Sequence, residues 1–139
     1  MIELNWIAIV LAALSTMVVG SLWYGPLFGK VWTKLAKVKT DPNFGPAQAV
    51  PLYLTAFIGS MITAIVLAVS AFVAHDFYGG SFLWVTVVVG AVLWLGFTAA
   101  RVNMHDSFEG RPKELTMLTV VHELVTILIM AVIIGVWPA

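Results

Sequence analysis

Apolar residues run almost unbroken through four stretches of this chain, with short polar breaks between them. The stretches cover residues 4–24, 51–74, 82–100 and 115–137. A helix needs about 20 mostly apolar residues to cross the hydrocarbon of a bilayer, so each stretch predicts a transmembrane helix. An open sheet would leave its edges unsatisfied in lipid, which makes helix the element these runs specify.

The breaks carry turn chemistry. Gly25-Pro26 closes the first run, Asp41-Pro42-Asn43-Phe44-Gly45-Pro46 precedes the second, and Tyr78-Gly79-Gly80-Ser81 joins the second to the third. Gly110-Arg111-Pro112 opens the fourth, with Pro112 suited to a first helical turn. Residues 27–38 hold a further pattern. Phe28, Val31, Trp32 and Leu35 recur at helical spacing, and Lys30, Lys34 and Lys37 fall opposite them. This predicts a short amphipathic helix lying on the membrane surface, with its lysines among anionic headgroups.

The expected architecture is therefore an all-α membrane protein: one domain over residues 1–139, four transmembrane helices, and an interfacial helix after the first. The two halves also match in part. Leu22-Trp23-Tyr24-Gly25 resembles Leu93-Trp94-Leu95-Gly96, and Lys30 aligns with Arg101 at the same offset. Two hairpins related in this way would form a parallel repeat.

Composition agrees with the pattern. The chain has 139 residues, 61% of them hydrophobic and 10% charged, and its mean hydropathy is +1.01. Soluble domains hold about 45–50% apolar and about 25% charged residues, and a chain this short cannot hide such an excess in one core. The net charge of zero gives no basic excess for nucleic acid, and the absence of cysteine excludes disulfide and thiolate chemistry. Position matters more than net charge. All seven Lys and Arg lie in the connections after the first and third runs. By the positive-inside rule both connections are cytoplasmic, which places both termini outside the cytoplasm.

Two stripes of small residues suggest packing faces. Ala56, Ser60, Ala64 and Ala68 recur every four residues, widened by Gly59 and Thr63, and Ala12, Thr16 and Gly20 do the same in the first run. These predict helix contacts within the chain or between copies. Four helices make a thin bundle with little room for an enclosed cavity, so a homo-oligomer is expected. Trp6, Trp23, Tyr24, Trp32, Tyr53, Tyr78, Trp84 and Trp137 fall near the ends of the runs and read as an interfacial aromatic belt. Trp94 is deeper and reads as packed within the bundle. Asn5 is expected to cap the first helix or bridge to a neighbour.

Candidate chemistry concentrates in the fourth run. Thr116, Thr119, Glu123, Thr126 and Met130 share one helical face, with His122 beside it. Glu123 lies roughly 12 Å past the inner boundary at the helical rise. An ionised carboxylate there must be paired, hydrogen-bonded or protonated. It is either a protonatable site for a proton or cation, or a structural partner for Arg101, His122 or the threonines. Arg101, Asn103, His105 and Asp106 form a polar cluster at the inner mouth, read as a solvated loop or a headgroup contact. No metal site is expected. His75 and His105 fall at opposite ends, His122 and Glu123 diverge by about 100° around the helix, and a zincin pattern would need a histidine at position 126, which is Thr. No nucleophile elbow, phosphate-binding loop or carboxylate pair is present, so the residues lean away from an enzyme without deciding the question, and no cofactor is expected.

One segment is distinctive. Trp23-Tyr24-Gly25-Pro26-Leu27-Phe28-Gly29-Lys30, followed by Trp32 and accompanied by Asn5-Trp6 and Arg111-Pro112, resembles the bacterial membrane family called Domain of Unknown Function 1761. The resemblance covers nearly the whole chain. It implies a bacterial inner-membrane location and four spans, and carries no activity or catalytic residue. Three functional readings follow from the residues. The first is a small oligomeric transporter or channel using Glu123. The second is a lipid-binding or membrane-complex protein contacting anionic headgroups of the inner leaflet through Lys30, Lys34 and Lys37. The third and weakest is a lipid enzyme at the Arg101–Arg111 cluster.

Overall fold

Four helices in the computed structural model are long and apolar enough to cross a membrane: Trp6–Leu27, Pro46–Tyr78, Phe82–Glu109 and Lys113–Val136. The structure describes residues 3–39 and 41–138. The terminal residues, whose side of the membrane is an expectation from charge, lie outside that range. Among the described residues there is no strand. The first long helix consists of α1 (Trp6–Leu22) and a π-helical turn (Trp23–Leu27), and the short α2 (Gly29–Leu35) follows it. The second long helix is α3 (Pro46–Tyr78). The third is α4 (Phe82–Leu93), a second π turn (Trp94–Ala99) and α5 (Ala100–Glu109), and the fourth is α6 (Lys113–Val136).

The helices form an up-down bundle in which each packs on its neighbours in sequence and α6 closes against α1. This alternation brings all seven cations to one end, here the basic end. The other end holds Glu3 to Asn5, the turn at Gly79-Gly80 and Trp137-Pro138. Asn5 ties that end together. Its Oδ1 accepts from the Ala8 N–H at 3.0 Å, capping α1, while its Nδ2 donates to the Trp137 carbonyl at 3.2 Å. It therefore both caps and bridges.

The tightly packed core lies in the half of the bundle toward the termini. Ile9, Ala12 and Ala13 meet Ala64, Leu67 and Ala68, and Ile127, Met130, Ala131 and Ile134 of α6 complete the cluster. The small-residue stripes of α1 and α3 thus face each other within one chain. Thr16 and Ser60 extend that contact with a hydroxyl–hydroxyl bond of 2.7 Å. The third and fourth helices approach even more closely. A Cβ on Gly90 would lie 3.4 Å from Ala131 Cβ, and one on Gly135 would lie 2.8 Å from Leu83 Cα. Outward, the bundle remains apolar. Only 11–28% of the apolar window of each long helix is buried inside the structure. Trp6, Val18, Ile58, Val92 and Phe97 all face out. An exposed apolar surface on this scale is not a soluble monomer's, and it is consistent with a multi-pass membrane protein.

Several helix limits differ from those expected: the first long helix reaches Leu27 rather than residue 24, and the second ends at Tyr78 rather than near residue 74. The second helix begins at Pro46 rather than near residue 51. Proline suits a first helical turn, and the Gly45 N–H ahead of it donates to Gln48 Oε1 at 3.0 Å. The third helix runs on to Glu109 rather than ending near residue 100, so the polar run after Arg101 is helical and not a loop. Gly110 stops it in a left-handed conformation at φ 67°. The Arg111 N–H then bonds the Asp106 carbonyl at 2.9 Å and the Gly110 N–H bonds that of Ser107 at 3.4 Å, a Schellman ending.

The Gly135–Leu83 approach yields a prediction. A methyl at position 135 meets backbone, which has no rotamer to yield. Gly135→Ala should destabilise the bundle by about 1–3 kcal/mol through overpacking, lowering its melting temperature in detergent by at least about 3 °C. Val136→Ala on the exposed face should leave the transition in place.

Candidate functional site

The distinctive segment builds one wall of the site. Pro26 has no N–H to continue helix one and its ring crowds the preceding turn. The backbone responds by widening. The Phe28 N–H reaches back five residues to the Trp23 carbonyl at 2.9 Å, and Gly25 leaves helical geometry at φ −105°, ψ −105°. Gly29 lies so close to this turn that a Cβ there would be 2.7 Å from the Tyr24 carbonyl oxygen. π turns of this kind often mark functional positions. Here the widened turn sets two consecutive aromatic side chains against one imidazole. The rings of Trp23 and Tyr24 lie 5.7 Å and 4.9 Å from that of His122. Phe28 supports Trp23 at 4.5 Å, and Trp32 supports Tyr24 at 5.1 Å.

His122 is 9% exposed. Its Nδ1 lies 3.2 Å from Glu123 Oε1. With the carboxylate ionised and able only to accept, Nδ1 carries the hydrogen. Nε2 then has no partner within the protein and faces Gly20, whose added Cβ would be 3.9 Å away. The Thr126 hydroxyl, one turn further along α6, is also buried without a partner. Glu123 differs from both, with its side chain 44% exposed.

These side chains border a half-open cavity of about 760 Å³ near the basic end. Gly20, Tyr24, Gly59, Trp94, Thr98 and Glu123 represent its four sides. It exists because the second helix parts from the third. α3 packs along α4 but makes little approach to the second π turn or α5, and its first residues, through Ala56, are largely exposed. Trp94 anchors the opposite wall by donating from Nε1 to the Val120 carbonyl at 3.0 Å. The thin bundle was expected to leave little room for an enclosed cavity, and this one is half-open. A second cavity of about 270 Å³ lies at the other end, where Glu3, Asn5, His75 and Trp137 contribute. The packed core separates the two. Met130 lines the first and Ile134 the second, which are about 6 Å apart along a helix.

Among the expected site residues, His122, Glu123 and Thr126 come together on the cavity wall. Thr119 is half-buried, and its hydroxyl donates to the Leu115 carbonyl at 3.1 Å. Arg101 and Asn103 are exposed and do not line the cavity. Glu123 is thus paired with His122 and not with Arg101. Although adjacent positions point about 100° apart, both side chains swing across that angle to meet. From the Arg101–Arg111 segment the structure selects a different group. Asp106 is 6% exposed and accepts from Thr116 Oγ1 at 2.6 Å and Arg111 Nη1 at 3.3 Å, locking the turn between the last two helices. Lys30, Lys34 and Lys37 are exposed around α2. No group of three potential metal ligands occurs among the described residues.

Trp23 and Tyr24 read as belt residues from the sequence, but Trp23 is buried and Tyr24 packs on His122; Tyr53 is largely exposed and also borders the cavity. Pro26 was the available signal, since a proline within an aromatic helix end foretells a local distortion.

Fold and site together define a four-helix protein, apolar enough to cross a membrane, with a half-open, mostly apolar cavity in one half that carries one carboxylate. The chain belongs to the family described as "Protein of unknown function (DUF1761)", which matches residues 7–135. No curated protein and no solved structure matches it.

The aromatic wall is testable at Gly29. Gly29→Ala drives a methyl into the Tyr24 carbonyl and should displace Tyr24 from His122. In the NMR spectrum the His122 ring protons, shielded between two aromatic rings, should shift downfield toward free-imidazole values. An unchanged His122 resonance would show that the turn absorbs the methyl without moving Tyr24.

Proposed function

We propose that this chain is a small membrane transporter that binds its solute in the half-open cavity and uses Glu123 as a protonatable carboxylate. The observation that carries the reading is the carboxylate–imidazole pair on a cavity wall at the level of the apolar helices. An ionisable group at that depth is costly unless it serves a site, and half the Glu123 side chain stays accessible. The second cavity supports the same reading. Two recesses at opposite ends, with a short plug of alanines and aliphatic residues between them, suit a path that opens alternately. Both LW-x-G tetrads lie where an α-helix gives way to a π turn, after Leu22 and after Leu93. That coincidence supports a parallel repeat of two hairpins. The positive-inside rule orients the basic end to the cytoplasm, so the larger cavity opens inward.

The test is reconstitution in liposomes carrying an internal pH dye, with a cation gradient imposed across the membrane. Wild-type vesicles should move protons faster than protein-free vesicles, and Glu123→Gln should lower that flux at least tenfold. Flux unaffected by Glu123→Gln would end the proposed role of this carboxylate.

A further inference from the structure

We propose that the cavity at Glu123 selects a lipophilic organic cation, such as a bulky ammonium or phosphonium. The assignment rests on reading this cavity as the solute site and names the class of solute. Charge is the first argument. No Lys or Arg lines the cavity, and its one carboxylate is that of Glu123. His122 engages Oε1, and Oε2 has no hydrogen-bond partner among the described residues. A cation entering here meets an accessible negative group, whereas an anion meets repulsion in a medium that screens weakly.

The rest of the lining decides between kinds of cation. A dehydrated calcium or magnesium ion takes about six or more oxygen ligands, whereas this lining has a single carboxylate and no group of three His, Cys, Asp or Glu is gathered among the described residues. Met17, Ile127 and Met130 provide apolar wall, and Tyr24, Tyr53 and Trp94 provide aromatic surface. Such a wall is of no use to a small hydrated ion. It suits an apolar body whose diffuse positive charge rests near aromatic faces. The volume of about 760 Å³ falls within the roughly 300–1,000 Å³ of small-molecule sites. The gap between the second and third helices offers entry from the side, through which an amphiphilic cation arrives from the bilayer.

The test uses the whole chain in phosphatidylcholine nanodiscs and equilibrium dialysis, with empty nanodiscs subtracted. Tetraphenylphosphonium is the probe, and tetraphenylborate is its counterpart of similar shape and opposite charge. Tetraphenylphosphonium should bind saturably and tetraphenylborate should not. Glu123→Gln should weaken binding at least tenfold, and Tyr53→Leu by about two- to fivefold, the size of an exposed cation–π contact. Gly59→Leu provides an independent variant. A Cβ there meets nothing within 4 Å, so the side chain should fill the cavity and abolish binding while the melting temperature is kept. Equal tetraphenylphosphonium binding by wild type and Glu123→Gln would overturn the assignment. Equal binding of tetraphenylborate would also overturn it and mark a general apolar pocket. Saturable binding without proton flux would sustain this assignment and remove the transport reading. Proton flux without saturable binding would do the reverse.

Discussion

Close backbone approach between helices is the constraint on which the rest of this structure depends. Where lipid surrounds the helices, apolar side chains gain little by leaving one apolar medium for another, and contact at short range holds the bundle together. The chain meets this with Gly135 against Leu83, Gly90 against Ala131, and the alanines of α1 against those of α3. All of these contacts lie in the half toward the termini. The other half lacks them. There Ala56 and Gly59 remove side-chain volume without a partner helix closing in, and the cavity is what remains. Small residues thus act in opposite senses along one stripe, drawing helices together at Ala64 and Ala68 and leaving space at Ala56 and Gly59.

A second constraint acts on the loose half. Backbone groups must be satisfied within each helix where water is scarce, yet Pro26 removes a donor near the end of the first. The π turn resolves the conflict by passing the bond five residues back, from Phe28 to Trp23. The same widening re-aims Trp23 and Tyr24 toward α6, where His122 fills the space between them. The aromatic contact and the hydrogen bond to Glu123 together fix the imidazole. A proline that looks like a simple helix stop therefore orients the only carboxylate in the cavity lining, acting through the aromatic rings and His122.

How much of this the sequence reveals depends on the range of the interaction involved. The four helices are legible because hydropathy over about 20 residues is a local sum, and the polar stripe of α6 is legible because helical periodicity puts Thr116, Glu123 and Thr126 on one face. The end of the third helix was not legible from hydropathy, because the run from Arg101 to Glu109 is polar and still helical. Gly110 was the true stop signal. Trp23 and Tyr24 look like interfacial aromatics by distance from the helix end, and only the π turn shows that they face inward. His122 was among the partners open to Glu123 from the sequence, and flexible side chains span the helical divergence to make that pair. The cavity was least legible of all. It depends on where α3 leaves α4, which is a property of two distant segments and of no single motif.

The placement of the packed half relative to the open half bears on how such a small bundle does work. The packed plug between the two recesses separates Glu123 from the end of the bundle that holds the termini. Its narrow stretch, from Met130 to Ile134 on α6, is barely more than one helical turn. It consists largely of alanine and aliphatic contacts, without ion pairs among the described residues to hold it shut. The strongest polar lock, Asp106 with Arg111 and Thr116, lies instead at the turn between the last two helices. Rigid tethers thus sit at the ends of the bundle, with Asn5 to Trp137 at one and Asp106 to Thr116 at the other, while the barrier between the cavities relies on packing alone.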